Sequence, residues 1–343
     1  MKVLVTGGAG YIGSHTVVEL LKKNFSVVIA DNLCNSSLMV LDGIQKITGK
    51  KPDFEQIDLC DITAVNKCLQ KHRDISSVIH FAAHKAVGES VLDPLKYYHN
   101  NLLSLIHLLE AIAGNSIPIK GFVFSSSCTV YGNPTELPVS EKAEIQPATS
   151  PYGNTKRICE EILQDVVKKS DFKAISLRYF NPVGAHDSCC IGELPNGAPN
   201  NLVPIITQTA IGKRKQQLEI YGDDYNTHDG TCIRDYIHVT DLAKAHVNSI
   251  ERLLKGEAQF QYENFNVGTG SGYSVLEIVN LFEKISGVKL NYKVVERRKG
   301  DIESMFADIS NSKSVLGWKA EKNLDEMIAS AWNWEKKIAE KKN

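Results

Sequence analysis

Tyr152 and Lys156 are the residues whose types and spacing best suit chemistry. The string Ser150-Pro151-Tyr152-Gly153-Asn154-Thr155-Lys156 reads as an N-cap, a proline at the first helical position, then a phenol and an ammonium at i and i+4. On a helix that spacing puts both groups on one face. A free tyrosine ionises near pH ~10. A fixed lysine, and any second positive charge bound beside it, would stabilise the phenolate and lower that value. Such a tyrosine can act as general base on a substrate hydroxyl at neutral pH. Tyr-x-x-x-Lys by itself is common on surface helices. What singles this one out is its place downstream of a glycine loop and of a strand ending in Ser125-Ser126-Ser127.

The glycine loop opens the chain. A short apolar run, residues 2–6, ends in Gly7-Gly8-Ala9-Gly10-Tyr11-Ile12-Gly13. Val17, Val18, Leu20 and Leu21 then recur at helical spacing before a second strand-like run at 26–30. Strand, glycine turn, helix, strand is the βαβ unit that binds a dinucleotide. Gly8/Gly10/Gly13 and Gly7/Gly10/Gly13 both fit a pyrophosphate loop. One glycine turns the chain tightly, one lets backbone N–H groups reach pyrophosphate, and one lets helix and sheet pack closely. The helix start at Tyr11 and Ile12 offers unpaired N–H groups and the positive end of its dipole. Asp31 ends the second strand, where it can accept hydrogen bonds from ribose hydroxyls and would repel a 2′-phosphate, so NAD is favoured over NADP. The polar stretch through Asn32, Asn35 and Ser36 suits a loop along the adenosine half of the cofactor. Asp58, at the end of a third strand, is placed to meet an adenine amine.

The elements that must position these groups follow in order. Strands at 54–59, 77–83, 121–124 and 173–181 alternate with helices at 38–48, 62–72, 94–111 and from 151. That alternation predicts an α/β fold, a Rossmann-like doubly wound parallel sheet covered on both faces. Asp31, Asp58, Ala82, Ala83 and the three serines all fall at carboxyl ends of strands, where such sheets gather ligands. After Pro182 the alternation breaks in a Gly-, Pro- and Asn-rich stretch. Helices at 202–212, 240–254 and 275–286 and strands at 218–221, 234–239 and 265–268 read as a smaller mixed lobe interleaved with the first. The expected division is 1–182 for the NAD-binding unit and 183–343 for the second, with part of 231–268 returning to the first.

At 343 residues the chain suits two such units. A hydrophobic content of 43% and a net charge of −1 describe an ordinary soluble protein with no surplus charge to suggest nucleic acid or membrane as partner. The chain starts directly on a strand and no apolar run reaches membrane-spanning length, so no signal peptide or membrane span is expected. Eight scattered cysteines lack Cys-x-x-Cys or zinc spacing and read as reduced thiols of a cytoplasmic protein holding no metal. Adjacent Cys189 and Cys190 are poorly placed for a mutual disulfide. The basic tail, residues 336–342, reads as a solvated helix end.

Longer strings are more specific. Thr6 to Gly13, Asp31-Asn32-Leu33, residues 125–132, residues 150–156, residues 178–185, Pro199-Asn200-Asn201-Leu202, residues 234–239 and Arg297-Arg298-Lys299-Gly300-Asp301 closely resemble the UDP-galactose 4-epimerase family of extended short-chain dehydrogenases/reductases. They occur in that family's order, almost end to end. The resemblance implies an NAD-binding domain, a C-terminal lobe that grips a UDP-sugar, interconversion of UDP-glucose and UDP-galactose, and a homodimer through helices 95–111 and 152–167. It adds Leu59, Phe81, Lys85, Asn100, Ser125 and Tyr179 to the cofactor set. It implies that Asn181, Asn201, Leu202, Tyr221, Arg234, Tyr236, Arg298 and Asp301 hold the nucleotide part of the substrate, guanidinium groups being well matched to a diphosphate. Ser127, Tyr152 and Lys156 are implied as the catalytic set.

Met305 departs from the family pattern. Its position lines the family's sugar pocket, where tyrosine goes with plain hexoses and cysteine with N-acetylhexosamines as well. Methionine there predicts additional, slower turnover of UDP-N-acetylglucosamine and UDP-N-acetylgalactosamine. Two alternatives share the fold. A nucleotide-sugar 4,6-dehydratase usually carries Asp-Glu just after the catalytic hydroxyl residue, where this chain has Cys128-Thr129. A non-catalytic NAD-sensing module generally lacks the Tyr/Lys pair, which is intact here.

Overall fold

The computed structural model describes residues 1–214, 216–298 and 300–340. Lys299 of the Arg-Arg-Lys-Gly-Asp string and the tail lysines Lys341 and Lys342 lie outside the described residues. The first half runs β1 (Lys2–Thr6), α1 (Tyr11–Lys22), β2 (Ser26–Asp31), α2 (Met39–Thr48), β3 (Asp53–Gln56), α3 (Ile62–Lys71), β4 (Ile75–His80), α4 (Val87–Leu92), α5 (Pro94–Gly114), β5 (Gly121–Ser127), a 3₁₀ turn (Cys128–Tyr131), α6 (Pro151–Val167) and β6 (Lys173–Tyr179). The second half runs β7 (Asn181–Val183), α7 (Leu202–Ala210), β8 (Leu218–Tyr221), β9 (Ile233–His238), α8 (Val239–Leu254), β10 (Tyr262–Val267), β11 (Gly272–Ser274), α9 (Val275–Ser286), β12 (Tyr292–Val295), β13 (Ser304–Met305), α10 (Ser310–Ser314) and α11 (Leu324–Glu340).

Seven strands form one parallel sheet in the order β10-β6-β5-β4-β1-β2-β3. Its inner strands β1, β2, β4, β5 and β6 are buried on both faces because helices cover both, while β3 at one edge is half-exposed. Val3 and Val5 of β1 enter a core with Val17, Leu20, Leu242 and Ile250 from α1 and α8, while Leu4 between them enters the opposite core with Leu105, Leu108 and Leu163 from α5 and α6. That is the period-two alternation of a strand expressed as two hydrophobic layers. The chain winds outward from β1 in one direction to β3 and in the other through β4 to β10, so a crevice opens beyond the carboxyl ends of β1 and β4.

The second half is interleaved with the first. α8 packs on α1 and β10 pairs with β6, so both belong to the large sheet's layers. β9 is the centre of a separate small sheet, parallel to β7 and β13 and antiparallel to β11. A third core, including Val203, Ile206, Ile278, Phe282, Ile328 and Trp332, binds α7, α9 and α11 to it.

Several boundaries differ from the sequence expectation for local reasons. The third strand stops at Gln56 rather than 59, because the Asp58 carboxylate accepts the Cys60 N–H at 2.8 Å and turns the chain into α3, capped in turn by Asp61. β5 runs on through Ser127, held by β6 as far as the Ser127–Tyr179 pair. The run expected at 173–181 splits at Phe180, and Asn181 pairs instead with Tyr236 of the small sheet.

Candidate active site

The cofactor crevice begins at the glycine loop. Gly7 has φ +67°, and a Cβ there would lie 2.8 Å from the Ala82 backbone nitrogen. A Cβ on Gly13 would lie 2.3 Å from the Gly7 carbonyl oxygen, whereas one on Gly10 would meet only that oxygen, at 3.1 Å. The loop is therefore tight where it turns and packs, and open where a ligand would approach. α1 starts with Gly10 as N-cap, which has no side chain to satisfy the first N–H groups, and no acid sits in the first turn. The free N–H groups and the dipole's positive end suit a pyrophosphate.

Asp31 binds this loop to the next one. Its Oδ2 accepts the Ala9 N–H at 3.1 Å, and its Oδ1 accepts the Leu33 N–H at 2.9 Å and the Ser36 hydroxyl at 2.8 Å. Asn32 donates to Asp58 at 3.4 Å, bringing together two of the residues expected beside adenosine, with Asn35 exposed in the same loop. Ala82 and Ala83 follow β4 opposite the glycines. Leu59 is buried in the sheet's core, and Phe81 packs on the His246 ring with centroids 4.6 Å apart. Both are placed to shape walls rather than to make polar contacts. Asn100, on α5, donates to Asn101 at 3.0 Å.

Ser127, Tyr152 and Lys156 converge beyond β5. Ser150 caps α6 by accepting the Gly153 N–H at 3.2 Å, which sets Tyr152 in the first turn. Lys156 donates to the Ser125 carbonyl at 2.6 Å, and its ammonium lies 4.8 Å from the Phe124 ring centroid and 6.0 Å from that of Tyr152. Ser125 is also hydrogen-bonded to the Tyr179 hydroxyl, so Tyr179 braces the lysine's anchor. Thr129 donates to the Ser127 oxygen twice, through N–H at 3.2 Å and through its hydroxyl at 3.0 Å. With its acceptor side engaged, Ser127 is left to donate outward. The sequence reading missed this function of Thr129; the signal was a second hydroxyl two residues after the serine.

The electrostatics add a requirement. Burial pushes the Tyr152 phenol up to about 12, with a hydrogen bond to Ser127 working the other way. Burial lowers Lys156 to about 8, opposed by Cys159 and Glu160. The lysine alone thus does not acidify the tyrosine, contrary to the simplest expectation from the motif. The positive charge of an oxidised nicotinamide is the remaining contribution that could.

The opposite wall comes from the small sheet. Arg234 and Tyr236, two residues apart, share one face of β9, with Asn181 paired to Tyr236 and Met305 paired to Arg234. Arg234 donates to the Ile233 carbonyl at 2.8 Å. Arg298 pairs with Asp301 at 2.7 Å and lies 5.5 Å from the Tyr221 ring centroid. A pocket of about 310 Å³ joins Thr149, just before α6, to Arg297 and Asp301. Asn201, the N-cap of α7, donates to Glu193 at 2.8 Å, and Glu193 also pairs with Lys85 at 3.1 Å. Glu193 was not anticipated, since nothing local in the sequence ties it to residues so distant. Leu202 packs against the small core. Met305 is 3% exposed, in an apolar cluster with Cys128, Val139 and Phe180. Among the described residues no cluster of His, Cys, Asp or Glu could hold a metal, and no helix is long and apolar enough to cross a membrane.

A glycine loop at the switch point of a parallel sheet, with serine, tyrosine and lysine converging beside it, defines an extended short-chain dehydrogenase/reductase. The chain matches the family described as GDP-mannose 4,6 dehydratase over residues 4–331. A UDP-glucose 4-epimerase of Drosophila melanogaster is 51% identical over 340 residues, covering 97% of this chain and 96% of the relative. One from Pasteurella multocida (strain Pm70) is 50% identical over 338 residues, covering 98% of each. The crystal structure of UDP-glucose 4-epimerase from Bifidobacterium longum in complex with NAD+ and UDP aligns with a TM-score of 0.94 at 45% identity, covering 99% of both chains. Within the extended short-chain dehydrogenases/reductases, this chain belongs to the UDP-glucose 4-epimerase family.

Proposed function

We propose that this chain interconverts UDP-glucose and UDP-galactose by transient oxidation at the sugar C4. The observation that carries this reading is the convergence of Ser127, Tyr152 and Lys156 at the carboxyl end of β5, Ser127 hydrogen-bonded to the Tyr152 phenol and Lys156 to the Ser125 carbonyl. The Gly7–Gly13 loop, the start of α1 and Asp31 would hold NAD, which would supply a reversible hydride acceptor for the sugar C4. Tyr152 takes the proton of the sugar 4-hydroxyl at its phenolic oxygen. Ser127 hydrogen-bonds the same oxygen and relays the proton. Lys156 holds the nicotinamide ribose and keeps a positive charge beside the phenol. Arg234 and Arg298 anchor the diphosphate, so the sugar can turn over within the site and present its other face. Cys128 is buried and Thr129 is occupied with Ser127, so neither supplies the added acid/base pair of a dehydratase. The test is chromatographic: purified protein given UDP-galactose without added NAD should form UDP-glucose, and absence of that product rejects the reading.

The NAD-binding unit in this reading is 1–182 with α8 and β10, and the remainder of 183–343 is the UDP-sugar lobe. A homodimer through α5 and α6 is supported by apolar side chains where α4 gives way to α5, Leu92 at the end of α4 being 87% and Leu95 at the start of α5 78% exposed. Eight free thiols fit a reducing cytoplasm. Because Asp31 would repel a 2′-phosphate, the cofactor released by denaturing the purified protein should be NAD(H). Mass spectrometry finding mainly NADP(H) would overturn that account of Asp31.

Substrate breadth turns on Met305. Its unbranched, flexible side chain can fold away from an incoming acetamide at modest cost. UDP-N-acetylglucosamine should therefore be epimerised measurably but more slowly than UDP-glucose, and UDP-N-acetylgalactosamine should be its product. Met305→Tyr should suppress the N-acetyl reaction and spare the hexose one. No N-acetylhexosamine turnover in the wild type, or equal slowing of both substrates in the variant, defeats the argument.

A further inference from the structure

A buried ion pair lies directly beneath the catalytic helix, outside the mechanism above. Tyr152, Lys156 and Glu160 follow at four-residue steps along α6, a single stripe facing the sheet. Glu160 is 3% exposed, and Arg178 of β6 is 5% exposed. Arg178 donates to Glu160 through Nη2 at 2.6 Å and Nε at 3.0 Å. Glu160 also accepts the hydroxyl of Ser126, the residue before Ser127, at 2.5 Å. On its other side Arg178 donates to the Tyr131 hydroxyl at 3.1 Å, which donates to Asn266 at 2.7 Å. Asn266 donates to the Val139 carbonyl at 2.8 Å, and the Val139 N–H donates to the carbonyl of Phe306, next to Met305, at 2.9 Å. A buried ion pair of this kind is a weak source of stability, because desolvation offsets its attraction and apolar residues of similar volume do as well or better. Its geometry nevertheless sets where α6 sits against β5.

We propose that Glu160 and Arg178 are positioning residues that lock the register of α6 against β5, so that Tyr152 and Ser127 meet the same substrate oxygen. Through Tyr131 and Asn266 they tie that register to the segment carrying Met305. The inference rests on the epimerase reading, but its test does not depend on turnover alone.

The double variant Glu160→Leu/Arg178→Met removes both charges at similar volume. Thermal unfolding should show a midpoint at or above that of the wild type. A crystal structure should show the Ser127–Tyr152 spacing changed. With UDP-galactose, kcat should fall on the order of a hundredfold, the scale expected of misplacement by about an ångström, while KM changes less than about twofold. A stable double variant with wild-type spacing and kcat overturns the proposal. If that variant does not fold, Tyr131→Phe decides: it deletes one hydroxyl and should lower kcat roughly tenfold at unchanged KM, and an unchanged kcat overturns the proposal. A wild type that forms no UDP-glucose rejects the functional reading instead, and the Ser127–Tyr152 spacing in the variants still decides the positioning claim.

Discussion

Tyr152→Phe should lower turnover on the order of a hundredfold or more while leaving NAD and UDP bound, since only the proton-transfer group is removed. The ring that packs at the start of α6 is kept, and Lys156 keeps its bond to Ser125. What disappears is the single group positioned to take the 4-hydroxyl proton. Ser127 remains, but a hydroxyl with no base behind it is a poor acceptor. The pH dependence carries a second signature. Burial holds the phenol up at about 12, and the cofactor's positive charge lowers that value, so turnover should rise with pH as the phenolate forms. The rising limb should vanish in the variant. Product chromatography gives the rate and calorimetry with UDP the binding, and near-normal turnover in the variant would remove Tyr152 from the mechanism.

Gly13→Ala should weaken NAD binding and lower the cofactor carried by the purified protein. The new Cβ would lie 2.3 Å from the Gly7 carbonyl oxygen and 2.8 Å from the Gly8 Cα, both backbone atoms that cannot swing aside. The loop would have to open, and in the proposed function that loop holds the cofactor's pyrophosphate. Overpacking of this kind costs about 1–3 kcal/mol, which corresponds to a loss of roughly tenfold to a hundredfold in cofactor affinity at about 1.4 kcal/mol per factor of ten. Gly114→Ala is the control, because a Cβ there meets nothing within 4 Å. Cofactor released per chain after purification separates the two. Equal NAD content in both variants would show that the loop tolerates the crowding and that its tightness is not what binds the pyrophosphate.

Local features of this chain were legible in its sequence because short-range physics specifies them. The glycine spacing at 7–13 requires a tight turn into a helix, and the structure has α1 starting at Tyr11. The i and i+4 spacing of Tyr152 and Lys156 places both on one side of α6 whatever the helix packs against, and Ser150-Pro151 marks where that helix starts. Apolar runs in the first half mark β1, β2, β5 and β6, because those inner strands are buried on both faces, whereas β3, a half-exposed edge strand reading Asp-Phe-Glu-Gln, and the short helix α4 carry no such signal.

Tertiary structure decided what depends on residues far apart in the chain. The period of an apolar run does not say which sheet it joins. β9 and β10 read alike, yet one centres the small sheet and the other extends the large one. Glu193 meets Lys85 and Asn201, and Glu160 meets Arg178 and Ser126, only because the fold brings their elements together. The phenol of Tyr152 is the sharpest case. The motif suggests an acidified tyrosine, but burial raises it, and desolvation depends on everything packed around the ring. Spacing along a chain specifies which groups can share a helix face or a turn, while the environment that sets their chemistry is assembled by contacts that only the folded chain makes.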